Sequence, residues 1–203
     1  MRLLDLFSRR YDGRAGHMMP PVPATSNLTR VAPKRIAVAL LTLSAAGFAA
    51  WQAEEGYTDE AVIPTKGDVP TIGHGSTRYE DGTRVRMGDK ITRPRAAVLA
   101  RKLISQDERE LAKSLPGAKL SQGEWDAYVS FVGQYGMGNW RGSTMQREVL
   151  SGNYVAACNG LLKYRFAARY DCSTLVNGKP NKRCYGVWER QLKRHAQCMR
   201  NLP

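Results

Sequence analysis

Cysteine is absent from the first 157 residues of this 203-residue chain, and no two of its four cysteines form a Cys-x-x-Cys pair. Histidine occurs three times, and only His195 lies near the cysteines. Zinc sites draw on close cysteine pairs or Cys/His clusters, so this composition argues against a metal centre, and no cofactor is expected. There is no His-Glu-x-x-His, and Gly73-His74-Gly75 has neither the lysine nor the strand–helix unit of a phosphate loop. His74 is therefore read as a structural residue. Charge is missing from one stretch as well: residues 36–53 contain no Asp, Glu, Lys or Arg.

The charge that is present is unevenly placed. The formal total is +13, yet residues 54–157 balance at fourteen charges of each sign. Residues 1–35 carry seven basic side chains against two acids, and residues 158–203 carry ten against two. Basic ends of this kind suit an anionic partner such as a cell wall, a membrane surface or a nucleic acid. No recognisable nucleic-acid-binding motif accompanies them, so nucleic acid is not expected as a partner.

Cys158, Cys172, Cys184 and Cys198 are separated by 14, 12 and 14 positions, which fits disulfides in an oxidising compartment. Cys172 and Cys184 bracket a segment with Asn177-Gly178 and Pro180, so a hairpin closed by those two is expected, leaving Cys158 to join Cys198. An oxidising compartment requires export. Residues 36–53, Ile36 to Ala53, would make a helix about 27 Å long, barely enough to cross a bilayer core. Seven alanines with Thr42, Ser44, Gly47 and Gln52 make insertion weak. Arg30, Lys34 and Arg35 precede it and orient the N-terminus to the cytoplasm. A buried core helix and a cleaved signal peptide with Gly47-Phe48-Ala49 at its end are alternatives, and an uncleaved, weakly held anchor is the favoured reading. The expected organisation is a disordered cytoplasmic leader over 1–35, a single weak transmembrane helix over 36–53 and one domain over 54–203.

From Glu55 to Thr77 the chain is rich in Gly, Pro, Thr and Val, which suggests a small hairpin or sheet. Helical signals follow. Thr92 and Pro94 open a helix running to Leu115, and Ser121-Gln122-Gly123-Glu124 is a capping box ahead of Trp125, Tyr128, Val129 and Val132. Further helices are expected over Thr144–Ser151, Tyr154–Tyr164 and Tyr185–Met199. The fold class is α+β, mostly helical, with its small sheet at the N-terminal edge.

Two carboxylates flanking a glycosidic bond suffice for its hydrolysis, one kept protonated by an apolar setting and one placing water or stabilising the cationic transition state. Glu55, beside an Ala/Trp-rich stretch, suits the first role, and Asp68, in a turn after Gly67, suits the second. Glu55-Gly56, followed by Pro70-Thr71-Ile72-Gly73-His74-Gly75, resembles the active-site signature of the phage lysozymes, a muramidase family. Phe131-Val132-Gly133-Gln134-Tyr135-Gly136, then Trp140 to Thr144 and Leu150 to Tyr154, resemble the same family over roughly Glu55 to Gln197. The apolar start is similar to the signal-anchor-release segment of a subset of phage endolysins.

The resemblance implies a lysozyme-like fold and hydrolysis of the bond between N-acetylmuramic acid and N-acetylglucosamine in peptidoglycan. The tethered protein would sit in the host inner membrane, and the released one, a monomer, in the periplasm. It implies Glu55 as proton donor, Thr71 as the hydroxyl that helps place water, and Gln134 as an amide in the cleft. The family's Asp follows the Glu by nine residues, where this chain has Pro64. Asp68 is the nearest suitable carboxylate before Thr71, with Asp59 and Glu60 as outsiders. A lytic transglycosylase would need the Glu but not the Asp, and a tethered non-enzymatic binder would need neither.

Overall fold

In the computed structural model, which describes residues 34–200 and 202, the first described residues already belong to the folded domain. β1 (Ile36–Ala37) pairs antiparallel with β4 (Lys119–Leu120), and a 3-10 turn over Val38–Leu40 leads to α1 (Ala45–Glu55). Ser44 starts α1 because its side chain accepts from the Gly47 amide at 2.9 Å, a standard N-cap. Gly56, at φ 74°, ends it. The expected continuous helix over 36–53 is thus replaced here by strand, turn and an 11-residue helix. Among the described residues no helix is long and apolar enough to cross a membrane. Residues 1–33 of the expected leader lie outside the described residues.

This segment is integral to the larger core. Val38, Leu41, Leu43, Phe48 and Trp51 are buried with Trp125, Tyr128, Phe131 and Trp140. Three carboxylates of the domain receive its polar groups. Arg35 pairs with the fully buried Glu124 at 2.8 Å, Ser44 donates N–H at 3.0 Å and O–H at 2.5 Å to Asp126, and the Leu43 amide donates to Glu108. Buried carboxylates without partners are costly, so these contacts commit residues 35–55 to the fold. The outward face of α1 is Ala45, Ala46, Ala49 and Ala50, all exposed.

β2 (Thr58–Val62) and β3 (Thr71–Gly73) form the antiparallel hairpin expected after Glu55, with Val62 opposite Thr71. A smaller core of Ala61, Ile72, Val85, Ile91, Ala96 and Leu99 lies behind it. α2 (Arg93–Lys113) serves both cores: Ala96 and Leu99 face the small one, and Ala100, Ile104 and Leu111 the large one. Thr92 precedes α2, with Pro94 in its first turn, but makes no capping bond through its side chain. α3 (Gln122–Trp140) begins with the expected capping box, both arms formed, and is interrupted at Gly136, φ 77°. α4 (Thr144–Leu150) and α5 (Tyr154–Gly160) follow, and the helix expected to Tyr164 gives way to a 3-10 turn over Leu161–Lys163. The chain then makes two short antiparallel hairpins, β5 (Phe166–Ala167) with β6 (Tyr170–Asp171), and β7 (Leu175–Val176) with β8 (Lys179–Pro180). α6 (Tyr185–Cys198) closes the fold against α3. Disulfides join Cys158 to Cys198 and Cys172 to Cys184.

Candidate active site

Glu55 is the last residue of α1, so its carboxylate leaves the helix where the chain turns into the hairpin. The side chain reaches solvent, yet the protein around it removes enough water to push its pKa up. Arg190, Arg194 and His74 pull the other way, Arg190 most strongly of the three, while the neighbouring Glu54 reinforces the rise. A carboxyl held above its ordinary range at the edge of an apolar helix stays protonated further toward neutral pH, which a proton donor requires.

Glu54 has the opposite fate. It pairs with Arg194 of α6 at 3.2 Å, and Arg194 is 3 % exposed. The same guanidinium donates to Ser130 Oγ at 2.9 Å and to Gln134 Oε1 at 2.5 Å. Burial lowers the Arg194 pKa, and Glu54 is the foremost group raising it back. One arginine therefore ties the end of α1 to the middle of α3. Gln134 was expected to meet a sugar acetamido group; here its carbonyl is held by Arg194, and the amide NH2 is the part that can face a ligand.

The hairpin supplies the other groups. Thr71 opens β3, half-buried, with its hydroxyl donating to the Val62 carbonyl at 3.4 Å. Asp68 lies between β2 and β3, exposed, in a turn where its amide donates to the Thr65 carbonyl at 2.9 Å. Asp59 and Glu60 are exposed on β2, and Glu60 lies 4.0 Å from Lys90. Pro64 lies two residues after β2 in the exposed connection. Glu55, Asp68 and Thr71 are thus carried by the end of α1, the β2–β3 connection and the start of β3.

His74, set aside on sequence grounds, lies against the end of α1. It is 8 % exposed, its Nδ1 contacts the Gly56 carbonyl, and its Nε2 lies 3.0 Å from Gln52 Nε2. Its ring is 6.0 Å from that of Trp51, in the large core, and 5.7 Å from that of Tyr57, which packs on the small one. Tyr57 is held by its hydroxyl donating to the Ile91 carbonyl at 2.9 Å, with Arg93 over its ring. An open cleft of about 450 Å³ beside this cluster is lined by Gln52, Ala53, Gly56, Tyr57, His74 and Arg93. No motif spacing announces His74, because its partners are a backbone carbonyl and an amide side chain on another element.

The chain is similar to known proteins over most of its length. The profile of the family described as Phage lysozyme matches residues 52–198. The endolysin of Salmonella phage P22 is 30 % identical over 130 residues, 64 % of this chain and 88 % of that protein. The crystal structure of a P22 lysozyme mutant superimposes with a TM-score of 0.65 at 26 % identity, covering 79 % of this chain and 99 % of that one. An endolysin from Escherichia coli O157:H7 phage FAHEc1 superimposes with a TM-score of 0.64 at 25 % identity, covering 79 % and 94 %.

Proposed function

The chain belongs to the phage lysozyme family, and from that premise we propose that it is an endolysin hydrolysing the N-acetylmuramic acid–N-acetylglucosamine bond of peptidoglycan. Glu55 gives its proton to the leaving glycosidic oxygen. Asp68 supplies the second carboxylate, stabilising the oxocarbenium-like transition state or orienting water, and the Thr71 hydroxyl helps place that water. The observation that carries this reading is the placement of Glu55 at the end of α1, its carboxyl pushed up by burial, with the β2–β3 hairpin that bears Asp68 and Thr71 following it. The acetamido group of a bound sugar would meet the amide NH2 of Gln134.

One observation favours a second reading on the same substrate. Pro64 stands where the family carries its Asp, and a lytic transglycosylase needs only the acid. Digestion of purified peptidoglycan followed by mass analysis separates the two. Hydrolysis leaves reducing-end muramic acid, whereas transglycosylation leaves the anhydro sugar; exclusively anhydro products would overturn the hydrolase.

The segment 36–53 has a second state in this proposal. Before lysis it anchors the protein in the host inner membrane, N-terminus in the cytoplasm, and on release it folds into the domain as strand, turn and α1. Its composition supports both environments: six exposed alanines cost little against water and little in lipid, while Phe48, Trp51 and the aliphatic residues suit a core or a bilayer. The tethered form would be inactive, since Glu55 cannot take its place while α1 is withdrawn.

A further inference from the structure

Residues 165–184 fold away from both cores. Their two hairpins turn through left-handed residues, Ala168 and Arg169 at φ 46° and 65°, and Asn177 and Gly178 at 51° and 73°. Successive left-handed residues give the tight turn that matches strand twist. The excursion is rigid by its own bonds. Cys172–Cys184 closes it, and the buried Asn181 donates to the carbonyls of Cys172 at 2.9 Å and Thr174 at 3.0 Å. Its Oδ1 accepts the amides of Arg183 and Cys184 at 3.1 and 2.9 Å.

What this frame presents is apolar and basic together. Leu175 and Val176 are 57 % and 54 % exposed on β7 and join neither core. Lys179 is the register partner of Val176, Arg169, Lys182 and Arg183 are exposed in the same double hairpin, and none of the four forms an ion pair among the described residues. The only acid between Arg165 and Arg183 is Asp171, and it is taken by Arg165 at 2.9 Å. The aromatics of the frame are Phe166, 53 % exposed on β5 with Arg165 over its ring at 5.4 Å, and the half-buried Tyr170 with Arg183 over its ring at 4.8 Å, so each stacks on a cation within the frame rather than standing open to a sugar or a base. Two adjacent exposed aliphatic residues in a small frame that also carries four unpaired cations fit a surface that is negative outside and hydrocarbon beneath.

We propose that this disulfide-closed double hairpin docks on an anionic lipid bilayer, with Leu175 and Val176 entering the headgroup–acyl boundary. Arg169, Lys179, Lys182 and Arg183 meet the lipid phosphates. The inference does not depend on which bond the enzyme cleaves or on the fate of residues 36–53.

The test is co-sedimentation of the full oxidised chain with phosphatidylcholine vesicles and with vesicles that also contain phosphatidylglycerol. Since residues 36–53 can contact lipid in every sample, the comparison is between wild type, L175S/V176S and K179E/K182E/R183E. Wild type should prefer the anionic vesicles and lose that preference as salt is raised. The charge variant should fall by about fivefold or more for each residue changed, and the apolar variant by about tenfold. Both should digest purified peptidoglycan at the wild-type rate. If a variant does not fold, the single exposed change Leu175→Ser carries the comparison. Equal wild-type binding to the two vesicles, or unchanged binding by the variants, overturns the proposal. So does a loss confined to binding of peptidoglycan sacculi, which would make the surface a polymer site.

Discussion

Gln52 and His74 meet side chain to side chain at 3.0 Å, and the contact lies at the seam between the two cores, one helical turn before the Gly56 cap. With the Gln52 amide donating to Nε2, the neutral ring carries its proton on Nδ1 and donates it to the Gly56 carbonyl. His74 thereby fixes the Gly56–Tyr57 peptide, one residue beyond Glu55, and joins α2 in linking the small and large cores.

Replacing His74 by Ala should therefore act on Glu55 through the backbone. We expect kcat to fall about tenfold to a hundredfold with KM nearly unchanged, as for a displaced catalytic group. Loss of the buried hydrogen bonds should cost about 1–3 kcal/mol in unfolding experiments. Glutamine at position 74, able to donate to the same carbonyl, should recover part of kcat. An unchanged kcat in the Ala variant would reduce His74 to packing.

Glu54 and Glu55 make a paired prediction. Glu55→Gln should abolish digestion of peptidoglycan and leave the fold intact, because it removes the transferable proton and no structural partner. Glu54→Gln should keep measurable activity yet lose about 1–3 kcal/mol, since Arg194 at 3 % exposure loses its carboxylate.

The pH dependence follows from the same group. A raised folded pKa means the native state holds the Glu55 proton more tightly than the unfolded chain. Stability from this group is greatest below its ordinary value of 4.5 and declines as pH climbs from there through the raised value. Glu55→Gln should flatten that decline and be the more stable protein at neutral pH. The wild-type activity should fall on the alkaline side as Glu55 loses its proton. Urea melts from acid to neutral pH that showed no difference between the two proteins would remove the shift.

Why some of this was legible in the sequence and some was not has a physical basis. Ser121 and Glu124 are three residues apart and cap one helix, so local chemistry revealed both arms of the box. Cys172 and Cys184 flank a turn whose Asn177-Gly178 can be read directly. Glu54 and Arg194 are 140 residues apart, and no periodicity links them. The same is true of Gln134, whose carbonyl goes to Arg194 instead of waiting for a ligand. Residues 36–53 were ambiguous for a different reason: hydropathy measures transfer out of water and does not say into what. The acid of the candidate site could be read from its Glu-Gly pair, while Pro64 displaced the second carboxylate from the family position.

The two disulfides should differ in worth. Cys158–Cys198 spans 40 residues and Cys172–Cys184 spans 12. Chain entropy then assigns about 4 kcal/mol to the first and about 3 kcal/mol to the second. The short bridge holds only the double hairpin, so Cys172→Ser/Cys184→Ser should retain hydrolysis and lose ordering of residues 165–184 to limited proteolysis. Cys158→Ser/Cys198→Ser should lower the global melting temperature, because those sulfurs are buried between α5 and α6 beside Tyr128. The reverse ranking would mean the hairpin is integral to the domain.

The release proposal needs variants that alter lipid affinity without altering the fold, and the structure separates the two. A Cβ on Gly47 would lie 2.7 Å from Leu43 and 2.9 Å from the Asp126 carboxylate that holds Ser44. Gly47→Leu would therefore delay lysis by preventing α1 from seating, whether or not a membrane is involved. Ala46 and Ala50 are exposed, Ala46 at the edge of an open groove shared with Gln122 and Asp126, so leucine there adds apolar surface without entering either core. Ala46→Leu/Ala50→Leu should keep the purified enzyme fully active and as stable as wild type. In cells it should remain in the membrane fraction and postpone lysis after the membrane potential is collapsed. Gly47→Leu should fail in the purified enzyme as well. If the alanine variant lyses on the wild-type schedule, or if the active periplasmic species begins near Ala50 by N-terminal sequencing, residues 36–53 are not a releasable anchor. Cleavage near Ala50 would also remove Phe48 and Leu43 from the large core and take Arg35 from the buried Glu124, so a cleaved enzyme should be much less stable than the full chain.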